Sequence, residues 1–231
     1  MLDRRTEWFV PSFGPERFRL AVGLLFLPYT GMVLSFTVIG SMLAPAIHWD
    51  RVAAIVVIYF LALGIGAHSL DAVGTRDARP WGKVFTRRQL WLIAIVSLVA
   101  AYSIGIWYMV RDTPLLWLIA IPEGFFVLAY NLEWFGGRFH RDSWFAFSWG
   151  ALPVLAGYIL QTNTISPSAL LVALAMALLS LVEIRASRPY KELKRGSTNA
   201  VEAERLEGIL KAVSGGVVAL GVGFLAFRLW S

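Results

Sequence analysis

Residues 52–67 read VAAIVVIYFLALGIGA, and residues 90–110 read LWLIAIVSLVAAYSIGIWYMV. Neither run contains a charged residue. A helix rises about 1.5 Å per residue, so some 20 residues of this kind cross the roughly 30 Å hydrocarbon core of a bilayer. Between the two runs lies HSLDAVGTRDARPWGK, residues 68–83, which carries aspartates, arginines and an Arg-Pro step. Two apolar runs joined by so polar a segment predict two membrane helices with a charged connection at one face.

The same alternation extends over the chain. Of its 231 residues 58% are hydrophobic, and the mean hydropathy is +0.65, whereas soluble domains stay near about 45–50% apolar. These values predict an all-α polytopic membrane helical bundle. About seven transmembrane helices are expected, near residues 18–42, 52–69, 89–110, 115–131, 144–162, 167–184 and 207–229. They form one integral membrane domain over residues 1–231, with 1–17 as an N-terminal segment and 18–229 as the bundle. The start, MLDRRTEWFVPSFGPER, has no apolar core followed by a small-residue cleavage site, so no removable signal peptide is expected. Cysteine is absent, which excludes disulfides, thiolate nucleophiles and cysteine metal sites.

The net charge is +6, but the bases lie in the connections, where they set topology. No nucleic acid partner is expected. Of the 21 lysines and arginines, only Arg51, Arg111 and Arg228 fall on the side opposite the N-terminus. By the positive-inside rule the N-terminus is cytoplasmic and the C-terminus outside. The connections after the second, fourth and sixth spans, all on the basic side, are also the ones that mix acids with bases.

Three polar constellations follow. On a helix prolonged from the second span, His68, Asp71 and Thr75 share one face; Asp77 follows, and Pro80 drives Arg79 toward extended backbone. Bland surface ion pairing is the competing account of these charges. The second constellation is AIPEGFFVLAYNLEWFGGRFHRDSW, residues 120–144. Glu123 lies inside the fourth span, where an ionisable group is costly enough to mark function, and the spacing puts it on one face with Tyr130 and Asn131. A structural, satisfied Glu123 is the alternative. Beyond it Glu133, Arg138, His140 and Asp142 crowd a Gly-Gly loop. In the third, LVEIRASRPYKELKRG at 181–196, Glu183 ends the sixth span, Lys191 lies two turns on, and Pro189 predicts a helix break between them. The bases there suit a phosphate or an anionic lipid surface. Asn199 and Glu202 read as a capping box opening an amphipathic lead-in to the last span.

The stretch YNLEWFGGRFHRDSWFAFSWGALPVLAGYILQTNTIS, residues 130–166, resembles the UbiA superfamily of intramembrane prenyltransferases. There a Tyr-polar step ends the fourth helix, a short basic loop follows, and a glycine-rich fifth helix returns. LD…RDARP is similar to the end of that family's first aspartate-rich motif, with Ala67 and His68 standing where its Asn-Asp pair would be and Thr75 where its last aspartate would be. Glu183 stands where the second motif has an acid; Ser187, one turn on, is no carboxylate. The family commonly has nine helices against the seven read here.

The resemblance implies a cytoplasm-facing cavity in which carboxylates hold Mg²⁺ and bases grip a prenyl diphosphate. Metal ligands would be Asp71, Asp77 and Glu183; the substrate would meet Arg79, Tyr130, Asn131, Arg138, Arg188 and Lys191; Asp71, Glu123 or His68 would serve the chemistry of an unidentified acceptor. Magnesium takes hard oxygen ligands, often one or two carboxylates plus substrate phosphates, and diphosphate departure needs its growing charge neutralised. The expected partners are a prenyl diphosphate or other isoprenoid lipid and membrane lipids, with an oligomer possible. The alternative is a non-catalytic isoprenoid-lipid binding or carrier protein of the same fold. A seven-helix photoreceptor ranks behind both, because the one lysine near the last span, Lys211, sits at its end.

Overall fold

The computed structural model describes residues 7–74, 84–196 and 199–230, the side chains at 195 and 196 excepted. Among these residues all regular structure is helical. Besides a single turn at Trp134–Gly137, eight helices follow in order among the described residues: α1 (Glu16–Leu24), α2 (Leu27–Met42), α3 (Trp49–Gly74), α4 (Arg87–Arg111), α5 (Pro114–Ala129), α6 (Asp142–Thr162), α7 (Pro167–Gly196) and α8 (Ala200–Trp230). Five of them, α3, α4, α6, α7 and α8, are long and apolar enough to cross a membrane. The pair α1 and α2, bent by 40° at Leu25–Phe26, would make a sixth span, and α5 is a shorter apolar helix. These properties are compatible with an integral membrane protein.

Local chemistry explains the breaks. Phe26 adopts a left-handed φ of 46° ahead of Pro28, which starts α2 because a first-turn proline lacks only a donor that would have no helical partner. Thr86 and Gln89 form a reciprocal capping box at the start of α4. Asn199 Oδ1 accepts from the Glu202 amide at the head of α8, so the amphipathic lead-in is continuous with the last long helix. The break expected at Pro189 does not occur, and α7 runs through it to Gly196. A proline costs a helix one donor and crowds the carbonyl one turn back, and packing along α7 outweighs that penalty.

α2 is the central helix, with α6 and α8 against it and α7 packed on α6 and α8. The contacts are close because glycines face backbone. A Cβ on Gly40 would collide with the Val154 carbonyl, and one on Gly157 with the Thr37 carbonyl. Met32, Phe36 and Ile39 of α2 are buried against Val154, Ala173, Met176 and Val217. The hydroxyls of Thr30, Ser35, Thr37 and Ser41 donate to carbonyls of the preceding turn, which lets polar residues sit in this interior at little cost.

The outward faces are apolar. Leu92, Ile95, Val96 and Val99 on α4 and Leu171, Leu174 and Leu178 on α7 are exposed at helical spacing. Patches of this extent are rare on soluble monomers and suit contact with lipid tails. At one end of the bundle the few bases are internally engaged. Arg228 donates to the Met42 and Ala44 carbonyls, Arg51 to those of Leu160 and Gln161, and Arg111 lies over Trp107. The other end gathers residues 7–13, the end of α3, the turn after α5, the start of α6 and the end of α7.

Candidate functional site

At that second end a cavity of about 320 Å³ is lined by His68, Asp71, Tyr130, Asn131, Arg188 and Lys191, together with His140, Glu192, Ile184 and the aromatic residues Phe26, Tyr29, Phe145 and Trp149. The first six were singled out in the sequence from three separate constellations. Their meeting has a backbone cause. Gly74 at the end of α3 lies so close to the Asn131 carbonyl that a Cβ would overlap it, and Gly150 of α6 is pressed against Met176 and Ala177 of α7. Both contacts draw the polar helix ends together.

The aromatic wall is ordered ring on ring. His68 stacks on Phe26, with centroids 5.2 Å apart and planes 9° from parallel, and its Nδ1 lies 3.3 Å from the Gly64 carbonyl. Trp149 stacks on Phe145 at 5.3 Å, and Phe145 meets Tyr29 edge-on. The Lys191 ammonium sits 5.0 Å from the centre of Phe26 and 5.4 Å from that of Tyr29, so a cation already occupies the π faces beside the cavity.

The opposite wall is polar. His140 stacks on Tyr130 at 4.4 Å, with its Nδ1 3.1 Å from the Tyr130 carbonyl. Arg188 donates from Nη2 to the His140 carbonyl at 3.2 Å and pairs through Nη1 with Asp142 at 3.1 Å. Two anchors, one on the loop before α6 and one on its first residue, thus fix a guanidinium that still faces the cavity. Asn131 turns its amide back onto the Val127 carbonyl at 2.8 Å, closing the last turn of α5.

Other expected residues lie elsewhere. Glu183 is 2% exposed and faces a separate cavity of about 10 Å³ between α7 and residues 7–9, which also touches Tyr29, Ser187 and Lys191. Lys191 borders both cavities, as its position two turns beyond Glu183 on an unbroken α7 requires. The buried Tyr29 hydroxyl lies between them, beside Glu183 and Ser187.

Glu123 does not share the cavity of Tyr130 and Asn131. It accepts a hydrogen bond from Tyr59 at 2.8 Å in a cavity of about 60 Å³ with otherwise apolar walls. The seven residues from Glu123 to Tyr130 correspond to about 10 Å of helical rise, so the carboxyl lies deeper, and the chain leaves the helix after Ala129. Arg138 is exposed and lies outside the polar cavity, on a turn where Glu133, Phe135, Gly136 and Gly137 all have positive φ. Asp77 and Arg79 lie outside the described residues, as does Thr75.

Among the described residues no three His, Asp or Glu side chains gather closely enough to hold a metal by themselves. Asp71 and Glu192 are the carboxylates on the polar cavity, and one or two carboxylates beside substrate phosphates are what magnesium often takes from a protein. The sequence did not point to Glu192 or to the four aromatic wall residues, whose types and spacing are those of ordinary core. His140 stood out only as part of a crowded loop. No family model, curated protein or solved structure matches this chain.

Proposed function

We propose that the chain is a UbiA-like membrane enzyme that transfers an isoprenoid group from a prenyl diphosphate to an acceptor at the polar cavity. The single observation behind this reading is the union of His68 and Asp71 with Arg188 and Lys191 over an aromatic wall at the base-rich end of the bundle. Arg188 and Lys191 would take up the charge of the diphosphate as the bond from its oxygen to the allylic carbon breaks. The faces of Phe145 and Trp149 would shelter the carbon end, where positive charge grows. A magnesium ion held by Asp71, with Glu192 near it, would supply further neutralisation of the leaving group. His68 or Asp71 would take the proton that the acceptor loses as its new bond to the prenyl carbon forms. In this reading the positive-inside rule puts this end, and the N-terminus, in the cytoplasm, with α1–α2 as one bent span and the short α5 as another beside the five long apolar helices.

The test is binding and turnover of geranylgeranyl diphosphate by detergent-purified protein, with magnesium and with chelator. Binding that requires both metal and Asp71, lost in Asp71→Asn, supports the reading. Metal-independent binding without product favours the second one, an isoprenoid-lipid carrier of the same fold. What favours that reading is Ser187, 1% exposed, one turn from Glu183 where a second carboxylate would serve metal.

A further inference from the structure

The turn between α5 and α6 runs back beside the helix it has just left. Phe139 follows Asn131 in the chain, yet its ring meets Phe125 of α5 at 4.9 Å and Trp144 of α6 at 5.7 Å. Phe125 precedes Asn131 by about 9 Å of helical rise, and a helical side chain leans toward the N-terminus, here farther from the base-rich end. Phe135 meets Phe139 at 5.8 Å, Trp134 meets Phe135 at 6.5 Å, and Phe147 meets Trp144 at 6.2 Å. Ring contacts thus run unbroken from the tip of the turn to the outward faces of α5 and α6, where Phe125 and Phe147 are exposed.

The tip is held outward against local preference. Phe135 is 70% exposed at a φ of 56°, and Trp134 beside it is 41% exposed. Left-handed backbone is unusual for a bulky residue, and strain of this kind with the ring outside the fold points to something beyond the fold. Arg138 and Arg141, which flank the Phe139 segment, are exposed and form no ion pair among the described residues. Rings beside arginines suit the layer between acyl chains and phosphates, where aromatic residues settle and an arginine lays its stem on apolar surface while its head reaches the phosphates.

We infer that this turn is a lipid-binding surface seated in the bilayer, with Trp134 and Phe135 among the upper acyl chains and Arg138 and Arg141 on the phosphates of anionic phospholipids. The two cations against the single exposed acid of the turn, Glu133, favour an anionic leaflet. The His140 carbonyl and Asp142, which hold Arg188, follow directly, so the lipid-seated tip and the wall of the polar cavity belong to one short segment of chain. None of this depends on what the polar cavity binds.

The chain has no cysteine, so Phe135→Cys carries a single nitroxide. The labelled full-length protein is placed in vesicles of phosphatidylcholine and phosphatidylglycerol, and the label's collisions with oxygen, which concentrates among acyl chains, are compared with those of a water-soluble nickel chelate. Val99→Cys, on the outward face of α4, gives the lipid reference, and Trp134→Cys reads the same tip where Phe135→Cys does not fold. The label at the tip is expected to favour oxygen, as at position 99, and adding Arg138→Glu with Arg141→Glu is expected to shift it toward nickel. Nickel-dominated collisions at the tip would put the turn in water and overturn the inference. So would exclusion of both reagents with dipolar broadening between labels, which would put a second copy of the chain over the turn, or an oxygen preference that the double arginine change leaves as it was.

Discussion

The imidazole of His68 stands edge-on to the indole of Trp149, with ring centroids 5.3 Å apart. Each ring is delivered by a π-helical stretch: His68 directly follows Phe60–Ala67 in α3, and Trp149 lies within Ala146–Ala151 in α6. A π turn adds a residue to the helical circuit and rotates everything after it, and such turns recur at functional sites. In both helices the wider turns re-aim one ring into the same cavity.

His68→Phe separates packing from chemistry. It keeps the stack on Phe26 and the edge contact with Trp149, so the melting temperature should stay within a few degrees of wild type. Prenyl transfer should fall at least about a hundredfold if the imidazole is the base, the lower range for a lost general base. Undiminished turnover would remove His68 from the chemistry.

The Asp142–Arg188 pair makes a graded prediction for diphosphate affinity. Arg188→Ala removes a charge-assisted donor facing the cavity and should weaken binding at least about tenfold. Asp142→Asn leaves the guanidinium with one anchor and should have a smaller effect in the same direction. Arg138→Ala, on the exposed turn, should bind as wild type does. Titration calorimetry of the three variants checks the order, and a large loss in Arg138→Ala would move the site.

Much of this was legible beforehand. Five of the seven expected spans coincide with helices long and apolar enough to cross a membrane, the first is bent at Leu25–Phe26 and the fourth is a shorter helix; His68, Asp71, Tyr130, Asn131, Arg188 and Lys191 meet in one cavity. The reason is that long apolar runs and charges at their ends carry strong signals. The depth of Glu123 was not legible, because a shared helix face does not mean a shared cavity when the two ends lie at different levels. Pro189 misled because proline penalties are local while the packing that overrides them is not. Phe26 and Trp149 gave no signal, since an aromatic residue lining a site looks the same in sequence as one filling a core.

The glycines between α2 and α6 are predicted to be intolerant. Gly40→Val or Gly157→Val would drive side-chain atoms into the Val154 or Thr37 carbonyls and should cost about 1–3 kcal/mol or more by overpacking. Thermal melting in detergent would show this as a lowered midpoint, whereas Gly216→Val, where a Cβ meets nothing within 4 Å, should be nearly silent.

Arg228→Ala should destabilise the far end of the bundle. It removes three hydrogen bonds to the Met42 and Ala44 carbonyls, and a loss of about 2 kcal/mol is expected for buried acceptors left unpaired. Arg228→Lys, with a point charge in place of the fork, should restore only part of it.

Arg51, Arg111 and Arg228 are tied to carbonyls and a ring at one end, whereas Arg188 and Lys191 line the polar cavity at the other. In a transferase built this way the inorganic product leaves through the doorway its parent entered. Pyrophosphate would then accumulate as a competitor for that doorway, and sustained turnover would depend on a pyrophosphatase keeping it clear.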